Sequence, residues 1–71
     1  MQKIVVTGAG GFIAGHLVKE LLKKGHKVRA VDIKPLNEWY QLSPEADNLV
    51  LDLRLRENCY KAVNGYNEVF N

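Results

Sequence analysis

Three glycines, Gly8, Gly10 and Gly11, stand together in the stretch Val5-Val6-Thr7-Gly8-Ala9-Gly10-Gly11-Phe12-Ile13-Ala14. Two aspartates, Asp32 and Asp52, follow at intervals of about twenty residues. These residue types at this spacing suit the holding of a phosphorylated ligand rather than the breaking of a bond. An apolar β-type run halts at Gly8, the backbone that follows carries almost no side chains, and a helix-period pattern opens at Phe12. A helix N-terminus offers unpaired N–H groups and the positive end of its dipole to an anion. Gly8 allows the tight turn, Gly11 lets the backbone approach a pyrophosphate, and Ala14 is small enough for the helix to lie close on the strand. Gly10, Phe12 and Ile13 complete the same grip, and dinucleotide binding is the chemistry it predicts.

Asp32 lies where that fingerprint expects an acid. A carboxylate there accepts hydrogen bonds from the hydroxyls of an adenosine ribose and repels a 2′-phosphate, which favours NAD over NADP. Lys34 nearby supplies a cation that permits NADP, and a turn-forming aspartate before Lys34-Pro35 is the plainer alternative. The Asp52 carboxylate can take a hydrogen bond from the adenine amino group while Leu53 packs on the ring, or it can cap the next helix. His16 falls on the polar side of the first helix and His26 in a turn, without the spacing of metal ligands. Trp39-Tyr40 reads as a local hydrophobic anchor, with closure over the adenosine as an alternative. Ser43 is the only serine and sits beside Pro44, which leaves no serine-nucleophile arrangement. Four residues beyond Tyr40, Tyr60 and Tyr66 stand Pro44, Asn64 and Phe70, so no Tyr-x-x-x-Lys pair exists. No catalytic residue and no metal ligand is assigned.

The elements that must position these residues follow from periodicity. Lys3 to Thr7 reads as a buried parallel strand. Phe12 to Lys24 is a helix with Ala14, Leu17, Val18, Leu21 and Leu22 on its apolar side, ended by Gly25. Glu20 precedes Lys24 by the spacing of a helical ion pair. Lys27 to Ile33 is a second strand, with Val28, Ala30 and Asp32 on one face and Arg29, Val31 and Ile33 on the other. Lys34 to Asp47, broken by Pro35 and Pro44, is irregular, with room for one helical turn between Asn37 and Leu42. Asn48 to Leu53 forms a third strand, Arg54 to Asn64 a second helix, and Asn67 to Asn71 starts a fourth strand around Val69 and Phe70. Right-handed crossovers place the strands in the order 3-2-1-4, the first half of a doubly wound, Rossmann-like α/β sheet.

Seventy-one residues allow one small domain, and residues 1–71 are expected to be a single, partial NAD(P)-binding unit. The net charge of +2, with basic and acidic residues interleaved, excludes a nucleic-acid face. The single cysteine, Cys59, excludes an internal disulfide and is expected to be a small buried hydrophobe. No apolar run reaches membrane-spanning length, and Met1-Gln2-Lys3 followed by β-type residues is not a signal peptide. A soluble, cytoplasmic protein is the expectation.

With Thr7-Gly8-Ala9-Gly10-Gly11-Phe12-Ile13-Ala14 in place, the chain resembles the N-terminus of the extended short-chain dehydrogenase/reductases, in the NAD-dependent epimerase/dehydratase family. Its Thr-Gly-x-x-Gly-Phe-Ile-Gly/Ala pattern is matched residue for residue, and Asp52-Leu53-Arg54 and Glu57-Asn58-Cys59 are similar too. The resemblance implies an N-terminal NAD-binding fragment of a sugar-nucleotide epimerase. In such a fragment the glycine loop holds the pyrophosphate, and Asp32 and Asp52 hold ribose and adenine. The nucleotide-sugar substrate belongs to a full-length relative, whose catalytic Tyr-x-x-x-Lys lies beyond residue 71. A non-catalytic adenine-nucleotide module and an NADP-dependent reductase fragment are the alternatives. Self-association through an exposed sheet edge is also expected.

Overall fold

A computed structural model describes all 71 residues. The elements are β1 (Lys3–Thr7), α1 (Phe12–Lys23), β2 (Lys27–Asp32), a single 3-10 turn (Leu36–Glu38), β3 (Asp47–Val50), α2 (Arg56–Val63) and β4 (Glu68–Phe70). All four strands run parallel in the order β3-β2-β1-β4, as the crossover rule requires. Lys3 to Thr7 pairs with Lys27 to Val31, which brings the carboxyl ends of β1 and β2 level.

The central, β-branched strands β1 and β2 are buried on both faces, because helices cover the sheet from both sides. Val5, Val6, Val28 and Val31 are the largest fully buried side chains. Each contributes about 1.5–3 kcal/mol of transfer free energy. On one face Ile4, Val6, Val28 and Ala30 pack against Val18 and Leu21 of α1, together with Trp39 and Ala46 from the long β2–β3 connection. On the other, Val5 and Val31 meet α2 through Ala62, with Leu49, Leu51, Leu53 and Tyr66 around them. The alternation expected in β2 is the one observed. No helix is long and apolar enough to cross a membrane.

Several local expectations are corrected. The third strand stops at Val50 rather than Leu53, and α2 starts at Arg56 rather than Arg54. The Leu51 N–H still donates to the Asp32 carbonyl at 3.0 Å, but a turn from Asp52 to Leu55 then leads the chain away from the sheet. Glu20 pairs with Lys23 at 3.6 Å, one turn position earlier than Lys24. Both partners are exposed, so the pair adds little. Cys59 is exposed, not buried. It faces an open pocket between α2 and the sheet, lined also by Val5, Ala62 and Val69, and its thiol donates to the Leu53 carbonyl at 3.0 Å.

Arg29 secures the thinner face. Its Nε donates to Asp47 Oδ2 at 2.9 Å, linking β2 to the start of β3. Its Nη1 lies 3.0, 3.1 and 3.0 Å from the carbonyl oxygens of Lys61, Ala62 and Asn64. Those are orphan acceptors at the C-terminus of α2, where a cation also complements the helix dipole. The guanidinium also lies 4.2 Å from the centre of the Tyr66 ring. The Arg29 side chain is only 16% exposed, so solvent screens these contacts weakly. Arg29→Ala is expected to destabilise the fold by about 2–4 kcal/mol in urea denaturation. Arg29→Lys, which keeps the charge without the fork, should recover less than half of that.

Candidate functional site

β1 ends at Thr7, and Gly8 turns the chain with φ +67°, a left-handed conformation that disfavours any side chain. The Gly11 N–H closes the turn on the Gly8 carbonyl at 3.0 Å, and the Ala9 N–H anchors it to the Val31 carbonyl of β2 at 3.0 Å. Gly11 is the N-cap of α1 and has no side chain to offer the first turn. The N–H groups of Phe12, Ile13 and Ala14 therefore have no partner within the protein; the first intrahelical bond runs from Gly15 to Gly11. Phe12 and Ile13 are exposed. Three free donors at the positive end of a helix dipole form a site for an oxyanion.

Gly10 has a different place from the one its spacing predicts. Its N–H donates to Asp32 Oδ2 at 2.9 Å inside the protein, so it is not free for a phosphate. A Cβ there would stand 2.9 Å from both Asp32 Oδ2 and Trp39 Cδ1. Glycine at this position is thus required by the aspartate and the indole behind the turn. Trp39 is buried, as an anchor should be, and its Nε1 donates to the Lys34 carbonyl at 2.8 Å. The Tyr40 N–H donates to the Gly10 carbonyl at 2.8 Å, and the exposed Tyr40 ring meets Phe12 edge-on at 4.6 Å. Residues 34–40, irregular by pattern, are in fact laced onto the glycine turn.

The close approach of α1 is also made by an unexpected residue. Ala14 is half-buried against the core, but Gly15 is fully buried. A Cβ on Gly15 would meet the Gln41 side chain at 3.0 Å and the Ala9 carbonyl at 3.6 Å. A glycine inside an otherwise good helix was the available signal, since it costs roughly 1 kcal/mol unless something demands it.

At the carboxyl edge of the sheet, Gly8, Val31, Asp32, Ile33, Leu51, Asp52, Leu53 and Arg54 line an open cleft of about 570 Å³. The cleft lies over the carboxyl ends of β1, β2 and β3, to one side of the point between β1 and β4 where the strand order reverses and where ligands of doubly wound sheets bind. Of the residues singled out by sequence, Gly8, Asp32, Asp52 and Leu53 come together in this cleft. Gly11, Phe12 and Ile13 stand beside it at the start of α1, and Gly10 lies behind. Asp32 is nearly buried, and its other oxygen accepts the Lys34 N–H at 3.0 Å. An ionised carboxylate has about four acceptor positions, so Asp32 keeps capacity for hydroxyl donors.

Asp52 is not the cap of α2, whose N-cap is Leu55. Its carboxylate is held by Arg54, which the sequence pattern did not single out. Oδ1 accepts the Arg54 backbone N–H at 3.0 Å and Nε at 2.9 Å, and Oδ2 accepts Nη2 at 2.8 Å. These hydrogen bonds, first from the side chain and then from the backbone, hold the Asp52 carboxyl below its ordinary pKa. Three-residue Asp-x-Arg spacing in a loop has no periodicity that would reveal such a pair. No group of three or more His, Cys, Asp or Glu side chains is placed to hold a metal ion.

A sequence model of the NAD dependent epimerase/dehydratase family matches residues 4–71. The chain belongs to this family. GDP-mannose 3,5-epimerase of Arabidopsis thaliana is 46% identical over 70 residues, which are 97% of this chain and 18% of that enzyme. A short-chain dehydrogenase/reductase superfamily protein from Agrobacterium tumefaciens, solved with bound NAD, superposes with a TM-score of 0.76 and 25% identity over 94% of this chain and 19% of its own. UDP-glucose 4-epimerase of Thermus thermophilus, in complex with NAD, gives 0.74 and 27% over 90% and 21%. The chain thus spans about a fifth of the length of the family members it matches.

Because the family's glycine turn is here wedged against Asp32 and Trp39, Gly10→Ala tests the arrangement directly. The added methyl should expel the indole from its buried site and destabilise the fold by about 1–3 kcal/mol. The expected readout is a red shift in the emission of Trp39, the sole tryptophan.

Proposed function

We propose that this chain forms the adenosine–pyrophosphate end of an NAD site in a sugar-nucleotide epimerase of the GDP-mannose 3,5-epimerase kind. One observation carries the reading: three unpartnered N–H groups at the start of α1 stand beside a cleft with two carboxylates on its wall. The donor set fits the ligand. Phe12, Ile13 and Ala14 would hold the pyrophosphate through main-chain N–H groups. Asp32 would accept from the ribose hydroxyls with the lone pairs that Gly10 and Lys34 leave free. The apolar wall of Ile33, Leu51 and Leu53 would take the flat base, with Asp52 at its edge. The NAD-bound neighbours and the family match support this assignment.

When bound, the nicotinamide ring of such a cofactor accepts and returns a hydride. The residues of this chain bind and orient. The carboxylate of Asp32 favours free hydroxyls over a 2′-phosphate, whose charge it would repel at close range with little solvent between them. NAD rather than NADP is therefore the expected ligand. The nucleotide-sugar substrate is proposed on the likeness to the plant epimerase, not on a residue of this chain.

Calorimetric titration should give weak but measurable NAD binding to the folded chain. Asp32→Asn, which keeps an acceptor for the Gly10 N–H but loses the charge, should weaken NAD by about tenfold, the loss of a hydrogen bond to a charged acceptor, and NADP by much less. Equal losses for the two nucleotides, or no NAD binding by a folded sample, would count against the assignment. We also propose self-association through the outer edge of β4, where Val69 and Phe70 are exposed. Light scattering should then show mass rising with concentration, and a constant monomer would rule it out.

A further inference from the structure

We propose that Arg54 is a positioning residue that gives the base end of the cleft its preference for a 6-amino purine over a 6-oxo purine. This rests on reading the cleft as the adenosine site and names a determinant of base choice within it. The Asp52 carboxylate receives three N–H bonds, and all three come from Arg54. Two fall on Oδ1 and fill it, while Oδ2 takes only one, which leaves a single acceptor position open on that oxygen. A group that can only accept, at one fixed point on the wall of a flat apolar cleft, selects a ring that donates there.

The fixing matters as much as the charge. A 6-amino purine presents its exocyclic N–H₂, whereas a 6-oxo purine presents a carbonyl oxygen at that position and an N–H on the adjacent ring atom. A mobile carboxylate would swing to accept from either ring. One held on both oxygens by a planar fork, and on Oδ1 by a backbone N–H as well, does not follow the donor. Arg54 cannot be deprotonated and has no acceptor of its own, so it keeps the partner ionised. The lowered pKa of Asp52, caused chiefly by the Arg54 side-chain hydrogen bonds, agrees with this.

The Arg54 side chain is 83% exposed, so its removal leaves the core intact and the variant is expected to fold. The test is titration of the full chain with NAD and with nicotinamide hypoxanthine dinucleotide, which differ only at position 6 of the purine. The native chain should bind NAD about tenfold more tightly, the worth of one hydrogen bond. In Arg54→Ala the two affinities should come within about twofold, mostly through weaker NAD binding, while circular dichroism stays native. Arg54→Lys, with one donor in place of the fork, should restore part of the ratio, to about threefold. A merely structural residue would weaken both nucleotides alike. Asp52→Asn separates the two readings, because an amide both donates and accepts and should erase the preference. If Arg54→Ala keeps the tenfold ratio while Asp52→Asn loses it, the role of Arg54 is overturned and the adenosine site stands. If the native chain binds the two nucleotides equally, the base preference is overturned and the NAD site stands; if a folded sample binds neither, both are overturned.

Discussion

The hydrogen bond from the Gly10 N–H to Asp32 Oδ2 is the contact on which the rest of the site depends. It joins the tip of the glycine turn to the end of the neighbouring strand, beside the Ala9–Val31 backbone bond. With that bond made, the turn cannot rise off the sheet, and α1 must start where its first three N–H groups face outward. The same bond fixes the rotamer of Asp32, so the carboxylate is set before any ligand arrives. Preorganisation of this kind lowers the ordering cost that binding would otherwise incur. It also explains the packing behind the turn. With the aspartate so close, only a residue without a Cβ fits at position 10, and Trp39 occupies the flat space that this leaves.

The two faces of the sheet are held by different means. Under α1 a broad apolar cluster is extended by Trp39 and Ala46, and burial does most of the stabilising. Under α2 only Ala62 is buried among the helical residues, so apolar contact is thin. There the polar reach of Arg29 takes over, bonding β3, the α2 C-terminus and the Tyr66 ring from one side chain. The glycine turn and Asp32 thus rest on the well-packed side, while Asp52 and Arg54 lie on the segment leading into the lightly packed helix. A short loop there needs its own local bracing, which the Asp52–Arg54 pair provides.

Much of this was legible in the residues, and the parts that were not share a cause. Strand order, the two buried faces of β2, the turn at Gly8 and the place of Asp32 follow from alternation, β-branching and a glycine at a strand end, all of which act locally. Arg29 was legible only as a member of a strand face, because its carbonyl partners at the end of α2 lie more than thirty residues away in an order that no local period encodes. The Trp39 segment lacked a period since it makes only one short turn of its own and is held in place by the Trp39 indole bond to Lys34 and the Tyr40 bond to Gly10. Cys59 was misplaced for the converse reason. Helical spacing puts it on the same side of α2 as Ala62, but the space it faces between α2 and the sheet is open to solvent. The family match covers nearly the whole chain and agrees with the local reading of the turn, which is where the residue pattern was strongest.

The anion grip at the start of α1 is made entirely of main chain. Phe12, Ile13 and Ala14 supply their N–H groups whatever their side chains, so the exposed positions 12 and 13 can change chemically while the donors stay. Scanning with alanine would therefore pass over the grip almost silently, and charge reversal would find no cation to remove. Only an imino acid deletes a donor outright. The identity of this site is thus recorded in residues that shape the backbone, Gly8, Gly10 and Gly11, rather than in those whose atoms would touch the ligand, and its robustness to drift follows from that division of labour.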